Sequence, residues 1–260
     1  MPTFADACAA VLSDPDGDHS LYTTLAPLYD RVAASAGSRY DAQVRAVAER
    51  VPTSARSVLN AGCGVGRLLP MLADRHGAVV GVDDSAELLS LAADRVAAAG
   101  GVSLVEADVS APDLDLDRRF DAAVALDHLT GRLHGDALDR GLATLRRHLH
   151  DGGTVVVDAA ADERAVREPS PSVFRDERYV VERAVDAVVA GDGTGDLRRV
   201  SDYRVTDRRT GETAVARERE SIRTFDGEGL AAALRRAGFR GVTVEADAVE
   251  EGSLVADARV

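Results

Sequence analysis

Ser57-Val58-Leu59-Asn60-Ala61-Gly62-Cys63-Gly64-Val65-Gly66 is the stretch that decides the fold. A short apolar run ends in three glycines at alternate positions, and an amphipathic segment, RLLPMLADRH over 67–76, follows at once. That order reads as a strand, a tight turn and a helix. Glycines in such a turn let the backbone approach a ligand closely, and the helix start offers unpaired N–H groups to an anionic ligand group. Working outward, AVVGVD (78–83) is a second strand and SAELLSLAADRVAAAG (85–100) a second helix with Ser85 as its N-cap. VSLVEAD (102–108), FDAAVAL (120–126) and GTVVVDAA (153–160) read as further strands, with a helix over 135–149. Strands alternating with helices at this spacing give an α/β fold, a mostly parallel Rossmann-like sheet with helices on both faces.

The flanks have a different texture. Residues 20–50 carry apolar positions at helical spacing. The segment 161–178, with Pro169, Pro171 and many charges, reads as an irregular connection. RYVVERAVDAVVA, LRRVSDYRVTD and TAVARERESIRTF then read as three antiparallel strands joined by the turn-rich GDGTGD (191–196) and DRRTGE (207–212). A helix over 227–239 and two strands, GVTVEADAV and GSLVADARV, complete the chain. The expected organisation is a helical cap over 1–52, a cofactor-binding core over 53–160, and a connection with an antiparallel β insertion over 161–225. The last helix and final two core strands occupy 226–260. Because the three insertion strands lie outside the βαβ core, they are expected to be removable without loss of any cofactor contact.

Composition narrows the partners. The 260 residues hold 44 acidic and 31 basic side chains, a net charge of −13, and every basic one is arginine. Arginine in place of lysine accords with a GC-rich genome. The dispersed acid does not follow from that and suggests adaptation to high salt, which screens self-repulsion. Nucleic acid is not expected as a partner, since a phosphate backbone calls for clustered cations. No apolar run reaches membrane-spanning length and no secretory leader is recognisable, so a soluble cytoplasmic protein is expected. Cys8 and Cys63 make no disulfide framework, and the six histidines show no metal-ligand spacing.

The glycine loop and Asp83, twenty-one residues beyond Gly62, together point to a nucleoside-type ligand, the acid being placed for ribose hydroxyls. A dinucleotide fingerprint needs a third small residue at position 67, which is Arg67. The spacing G-x-G-x-G, followed in order by GVDDS, EADV, FDAAVAL and LHDGGTVVVD, resembles the class I S-adenosylmethionine-dependent methyltransferases over roughly residues 57–160. The resemblance implies S-adenosyl-L-methionine as cofactor, with Gly62, Cys63 and Gly64 facing its methionine part. It implies Asp83 on the ribose hydroxyls with Asp84 beside it, and Asp108 on the adenine amino group with the Val109 N–H near by. Leu126 and Asp127 would border the transferable methyl. Asn60 stands where the family usually has an acid, keeping hydrogen bonding without the charge.

LYTTLAPLYDRV, the insertion and the last helix look like the small-molecule branch of that family, sugar-amine N-methyltransferases included. There the N-terminal helices close over the cofactor, with Tyr29 and Tyr40 at matching positions; an ordinary aromatic on a buried helix face is the alternative for each. Asp127 and His128 are the candidate catalytic residues, placed where the fourth strand ends. The expected function is methyl transfer to nitrogen or oxygen of a small-molecule acceptor, with the insertion as a lid or as the contact of a homodimer. A cofactor-binding protein without transfer activity stays open, and a nicotinamide-dependent oxidoreductase is the more distant alternative.

Overall fold

The computed structural model describes residues 3–35, 37–168, 170–190 and 196–260. Three helices come first: α1 (Phe4–Ser13), α2 (Ala26–Ser35) and α3 (Gly37–Arg50). The alternating region holds β1 (Ser57–Ala61), α4 (Leu69–His76), β2 (Ala78–Asp83), α5 (Ala86–Val96), β3 (Val102–Glu106) and β4 (Phe120–Ala125). It continues with the short α6 (Leu129–Arg132), α7 (Asp136–Arg147) and β5 (Leu149–Ala160). The insertion comprises β6 (Ser172–Arg175), β7 (Tyr179–Val189), β8 (Leu197–Asp207) and β9 (Thr213–Ile222); α8 (Gly227–Arg236), β10 (Arg240–Ala246) and β11 (Ser253–Arg259) close the chain.

The main sheet runs β10-β11-β5-β4-β1-β2-β3, with β11 antiparallel to both neighbours and the rest parallel. Alternation along the strands feeds two cores. Leu59, Val155 and Val157 pack with α7 and α8 through Leu142, Leu145, Leu230 and Leu234. Val58, Val124 and Val156 pack on the other face with α3, α4 and α5 through Val47, Leu72 and Ala92. Chain order reverses at β1, which pairs with β2 on one side and β4 on the other. A crevice outside the strand ends at such a switch point is where ligands bind in open α/β sheets.

Three expectations need correction. The cap contains α1 as well, started by a capping box in which the Thr3 side chain accepts the Asp6 N–H and the Thr3 N–H donates to Asp6. The insertion has four strands, because Ser172–Arg175 pairs with β7 in the segment read as irregular. Pro171 precedes this edge strand, where a missing donor costs no ladder bond, and Phe174 packs edge-on against Phe4 at 5.1 Å. The turn expected over 191–196 lies, apart from Asp196, outside the described residues.

The third correction concerns separability. One face of the insertion sheet is the packing partner of α1 and α2: Ala7, Cys8, Val11, Leu25 and Leu28 share a core with Tyr179, Val181, Tyr203 and Val205. Fully buried side chains of this size contribute about 1.5–3 kcal/mol each. Removing residues 179–225 would therefore strip the cap of its core, so the cap and the insertion form one lobe. Among the described residues no helix is long and apolar enough to cross a membrane.

Candidate functional site

A cleft of about 890 Å³ opens at the C-terminal ends of β1, β2 and β4, with the cap and insertion as its roof. That volume suits a nucleoside cofactor together with a small second ligand. Gly62, Gly64 and Gly66 have φ of 63°, 53° and 74°, left-handed values that favour glycine. A Cβ on Gly64 would meet nothing within 4 Å and would project into open space, whereas one on Gly66 would lie 2.8 Å from Ala92 Cβ. The first glycine clears room for a ligand, and the second lets α5 pack against the loop. The helix after the loop begins only at Leu69, so the loop's own backbone, more than the helix terminus, faces the cleft.

Asp83 ties this loop to β2. One carboxylate oxygen accepts the Gly64 N–H at 2.8 Å and the other the Ser85 N–H at 3.1 Å. Burial raises its pKa against the pull of those bonds. Asp84 is exposed beside it on the cleft wall. Ser85 caps α5 through the Leu88 N–H and donates its hydroxyl to the Tyr22 carbonyl at 2.9 Å, so the N-cap also anchors the roof. Asp108 accepts the N–H and hydroxyl of Ser110 at 2.7 and 2.9 Å, which sets the turn after β3. Asn60, Cys63, Val109 and Leu126 line the same cleft. The Cys63 thiol is pushed up by burial and by the Asp83 carboxylate, which disfavours the thiolate. These residues fit the group the motifs call for: open space over Gly64, acids at the ends of β2 and β3, and a buried amide on β1.

Tyr29 and Tyr40 line the cleft from the cap. Tyr40 donates its hydroxyl to the Arg67 carbonyl at 3.0 Å and carries the Arg67 guanidinium over its ring. Arg183 lies over Tyr29, 5.4 Å from the ring centroid. The cap is further held where Arg95 of α5 pairs with Asp30 and donates to the Val65 carbonyl.

Asp127 and His128 end β4 with φ of 61° each, two consecutive non-glycine residues in left-handed geometry. Each costs on the order of 1 kcal/mol. The Asp127 carboxylate faces the cleft, 44% exposed, at 3.2 Å from Arg39 and 3.9 Å from Arg132. Burial alone would raise its pKa, yet the Arg39 and Arg132 guanidinium groups hold it well below the usual carboxylate range. His128 does not share the cleft. Its side chain is fully buried, with Nε2 2.8 Å from Arg39 and 3.1 Å from the Ala165 carbonyl. Burial and the Arg39 cation hold its pKa well below the ordinary value. The expectation that both side chains reach the acceptor therefore splits: the turn sends Asp127 into the cleft and His128 into the interior.

Several functional residues were not found by sequence reasoning. Arg39, from the first turn of α3, joins Asp127, His128, the Ala165 carbonyl and Glu250. Arg132 of α6 pairs with Glu220 of β9, which also pairs with Arg199 of β8; Arg183 of β7 pairs with Glu168. The roof over the Asp127 end of the cleft is thus a lattice of arginine–carboxylate pairs.

Known proteins agree with this geometry. Residues 58–153 match the methyltransferase domain family. The chain is 34% identical over 156 residues to dTDP-3-amino-3,6-dideoxy-alpha-D-glucopyranose N,N-dimethyltransferase of Streptomyces fradiae, covering 58% of each chain. It thus spans little more than half the length of that relative. Its fold superposes on Streptomyces venezuelae DesVI with a TM-score of 0.71 and 26% identity, covering 89% of this chain and 97% of that one. The sugar N-methyltransferase KedS8 from Streptoalloteichus gives 0.67 and 26%, covering 89% and 93%. Residues 58–153 thus match a methyltransferase domain, and the chain is similar over most of its length to sugar N-methyltransferases. The fold is also shared with CalS10, an amino pentose methyltransferase from Micromonospora echinaspora whose structure holds S-adenosylmethionine, at 22% identity and a TM-score of 0.67, covering 94% of this chain and 100% of that one.

Proposed function

We propose that this protein methylates the amino nitrogen of a small, hydroxyl-bearing acceptor such as an amino sugar. The observation that carries the reading is the Asp127 carboxylate, kept ionised by Arg39 and Arg132 and open to the cleft. S-adenosylmethionine, when bound, supplies a methyl group on a sulfonium carbon. A neutral amine attacking that carbon gains positive charge, and a fixed carboxylate beside it lowers the barrier. A carboxylate held so acidic is a poor base, so Asp127 stabilises the cation and does not remove its proton. A neutral amine needs no base for the displacement. The paired arginines and carboxylates of the roof present oriented polar groups to a polyhydroxylated acceptor and exclude water once it is bound. The amino-sugar specificities in the relatives' names support the same class.

The test is incubation with S-adenosylmethionine and a panel of amino sugars, free and nucleotide-linked, beside their deaminated counterparts, with products weighed by mass spectrometry. Methylation confined to the amines is expected. Asp127→Asn should lower turnover by about tenfold to a thousandfold with cofactor affinity retained. Methylation of the deaminated sugars would move the reaction to oxygen. We further place the protein in the cytoplasm of a salt-adapted organism, on its lysine-free acidic composition. The exposed face of the insertion sheet is its proposed homodimer contact.

A further inference from the structure

Two consecutive left-handed residues need a reason to stay where they are, and one side chain supplies it. Asp158, near the end of β5, has no exposed surface. One of its oxygens accepts the Asp127 N–H at 3.0 Å and the other the His128 N–H at 2.7 Å. Its backbone carbonyl accepts the Thr130 hydroxyl at 2.5 Å. A single residue thus grips three of the four positions 127–130, although its side chain does not line the cleft.

We propose that Asp158 is a positioning residue: its carboxylate holds the left-handed turn that aims the Asp127 carboxylate at the acceptor nitrogen. The inference rests on the amine-methylation reading given above. The chemistry of the donors sets the requirement. Two N–H groups from adjacent residues need two acceptor oxygens, and only an ionised carboxyl offers both; an amide or a neutral carboxyl turns a donor toward one of them. The charged and titratable groups facing Asp158 are Arg39 from α3, Asp127 and His128 from the turn, and Glu250 from the loop between β10 and β11. Burial pushes Asp158 up to about 6, with Arg39 opposing and Asp127 reinforcing the rise. The grip is therefore complete in mildly alkaline solution and is lost on acidification.

Two measurements test this. In the first, Asp158→Asn is compared with the wild type for methyl transfer to an amine accepted by both, from about pH 5 to about pH 8.5. At the alkaline end kcat is expected to fall at least about tenfold, or about 1.4 kcal/mol, with the S-adenosylhomocysteine-induced rise in melting temperature intact. The wild-type to variant ratio should shrink toward unity in acid, and the ratio cancels the titration of the acceptor itself. A folded variant with wild-type kcat, or a ratio independent of pH, overturns the proposal. The second measurement needs no activity. The amide resonances of Asp127 and His128 in the labelled wild type should shift together with a midpoint near 6. They should do so equally in Glu250→Gln, which removes the other carboxyl that titrates near by. Static amides overturn the clamp. Titrating amides with no amine methylated would instead sink the amine-methylation reading on which the proposal depends.

Discussion

Asp83, at the end of β2, accepts the Gly64 N–H at 2.8 Å across the mouth of the glycine loop. The acid expected to face the ribose is thereby also the brace of the loop that faces the rest of the cofactor. Asp83→Ala should abolish most of the thermal stabilisation by S-adenosylhomocysteine, which for the wild type is about 2.7 kcal/mol at a hundred times Kd. A thermal shift assay reads this directly, and an undiminished shift would remove Asp83 from the site.

The glycines of the loop should respond differently to one added methyl group. Gly64 opens onto the cleft, so Gly64→Ala is expected to cost about 1–2 kcal/mol of stability for its left-handed backbone and to block the cofactor. Gly66→Ala drives a Cβ to within 2.8 Å of Ala92, adding about 1–3 kcal/mol of overpacking. Denaturation of both variants, with and without S-adenosylhomocysteine, separates the effects. A Gly64→Ala protein that binds the ligand normally would contradict the placement of the cleft.

Burial pushes the Glu250 carboxyl from 4.5 up to about 7, with Arg39 pulling the other way. The folded chain keeps a proton that the unfolded chain releases, so stability should fall as pH rises between those two values. Glu250→Gln mimics the protonated form. It should match the wild type near pH 5 and exceed it by about 1–3 kcal/mol near pH 8. Thermal melts at fixed salt would check this, and a wild type more stable than the variant at the alkaline end would show that the Arg39 pairing outweighs burial.

The surplus of 44 acidic over 31 basic side chains should make stability rise steeply between about 0.1 and 2 M salt as repulsion is screened. A melting temperature that stays flat over that range would leave genome composition as the explanation for the arginines.

The half of the cleft around the glycine loop was legible in the sequence because its residues sit at strand ends whose periodicity is unbroken. SVLNAG and AVVGVD predicted β1 and β2 to within a residue; Gly62, Gly64 and Asp83 follow from those ends, and Asp108 from the end of β3. The ion pairs of the roof were not read, yet they left a trace. Arg183 shares a strand face with Tyr179, Val181 and Val185, and Arg199 shares one with Leu197, Ser201 and Tyr203. A charge on the apolar face of a strand marks a buried pair, but its partner is named only once the strands are in register. Arg39, Asp158 and Glu250 come from a helix, a core strand and a terminal loop. Their meeting depends on the order of the whole sheet, which no local pattern carries. His128 shows the same limit: its position in the chain was right, and its direction was set by the backbone turn.

The shared core of the cap and the insertion also bears on how the molecule assembles. Residues 7–32 pack against residues 179–216, and the Leu21 N–H reaches the Glu218 carboxylate 197 positions along the chain. A nascent chain therefore exposes the apolar sides of α1 and α2 until β7 and β8 have been made. Meanwhile β1–β5 bring together contacts much closer in sequence, which form sooner. Pulse-labelled hydrogen exchange during refolding should find β1 and β4 protected before β7 and β8; simultaneous protection would refute that order. The growing chain thus completes the loops around Gly64 and Asp83 before it can build the lobe that roofs them.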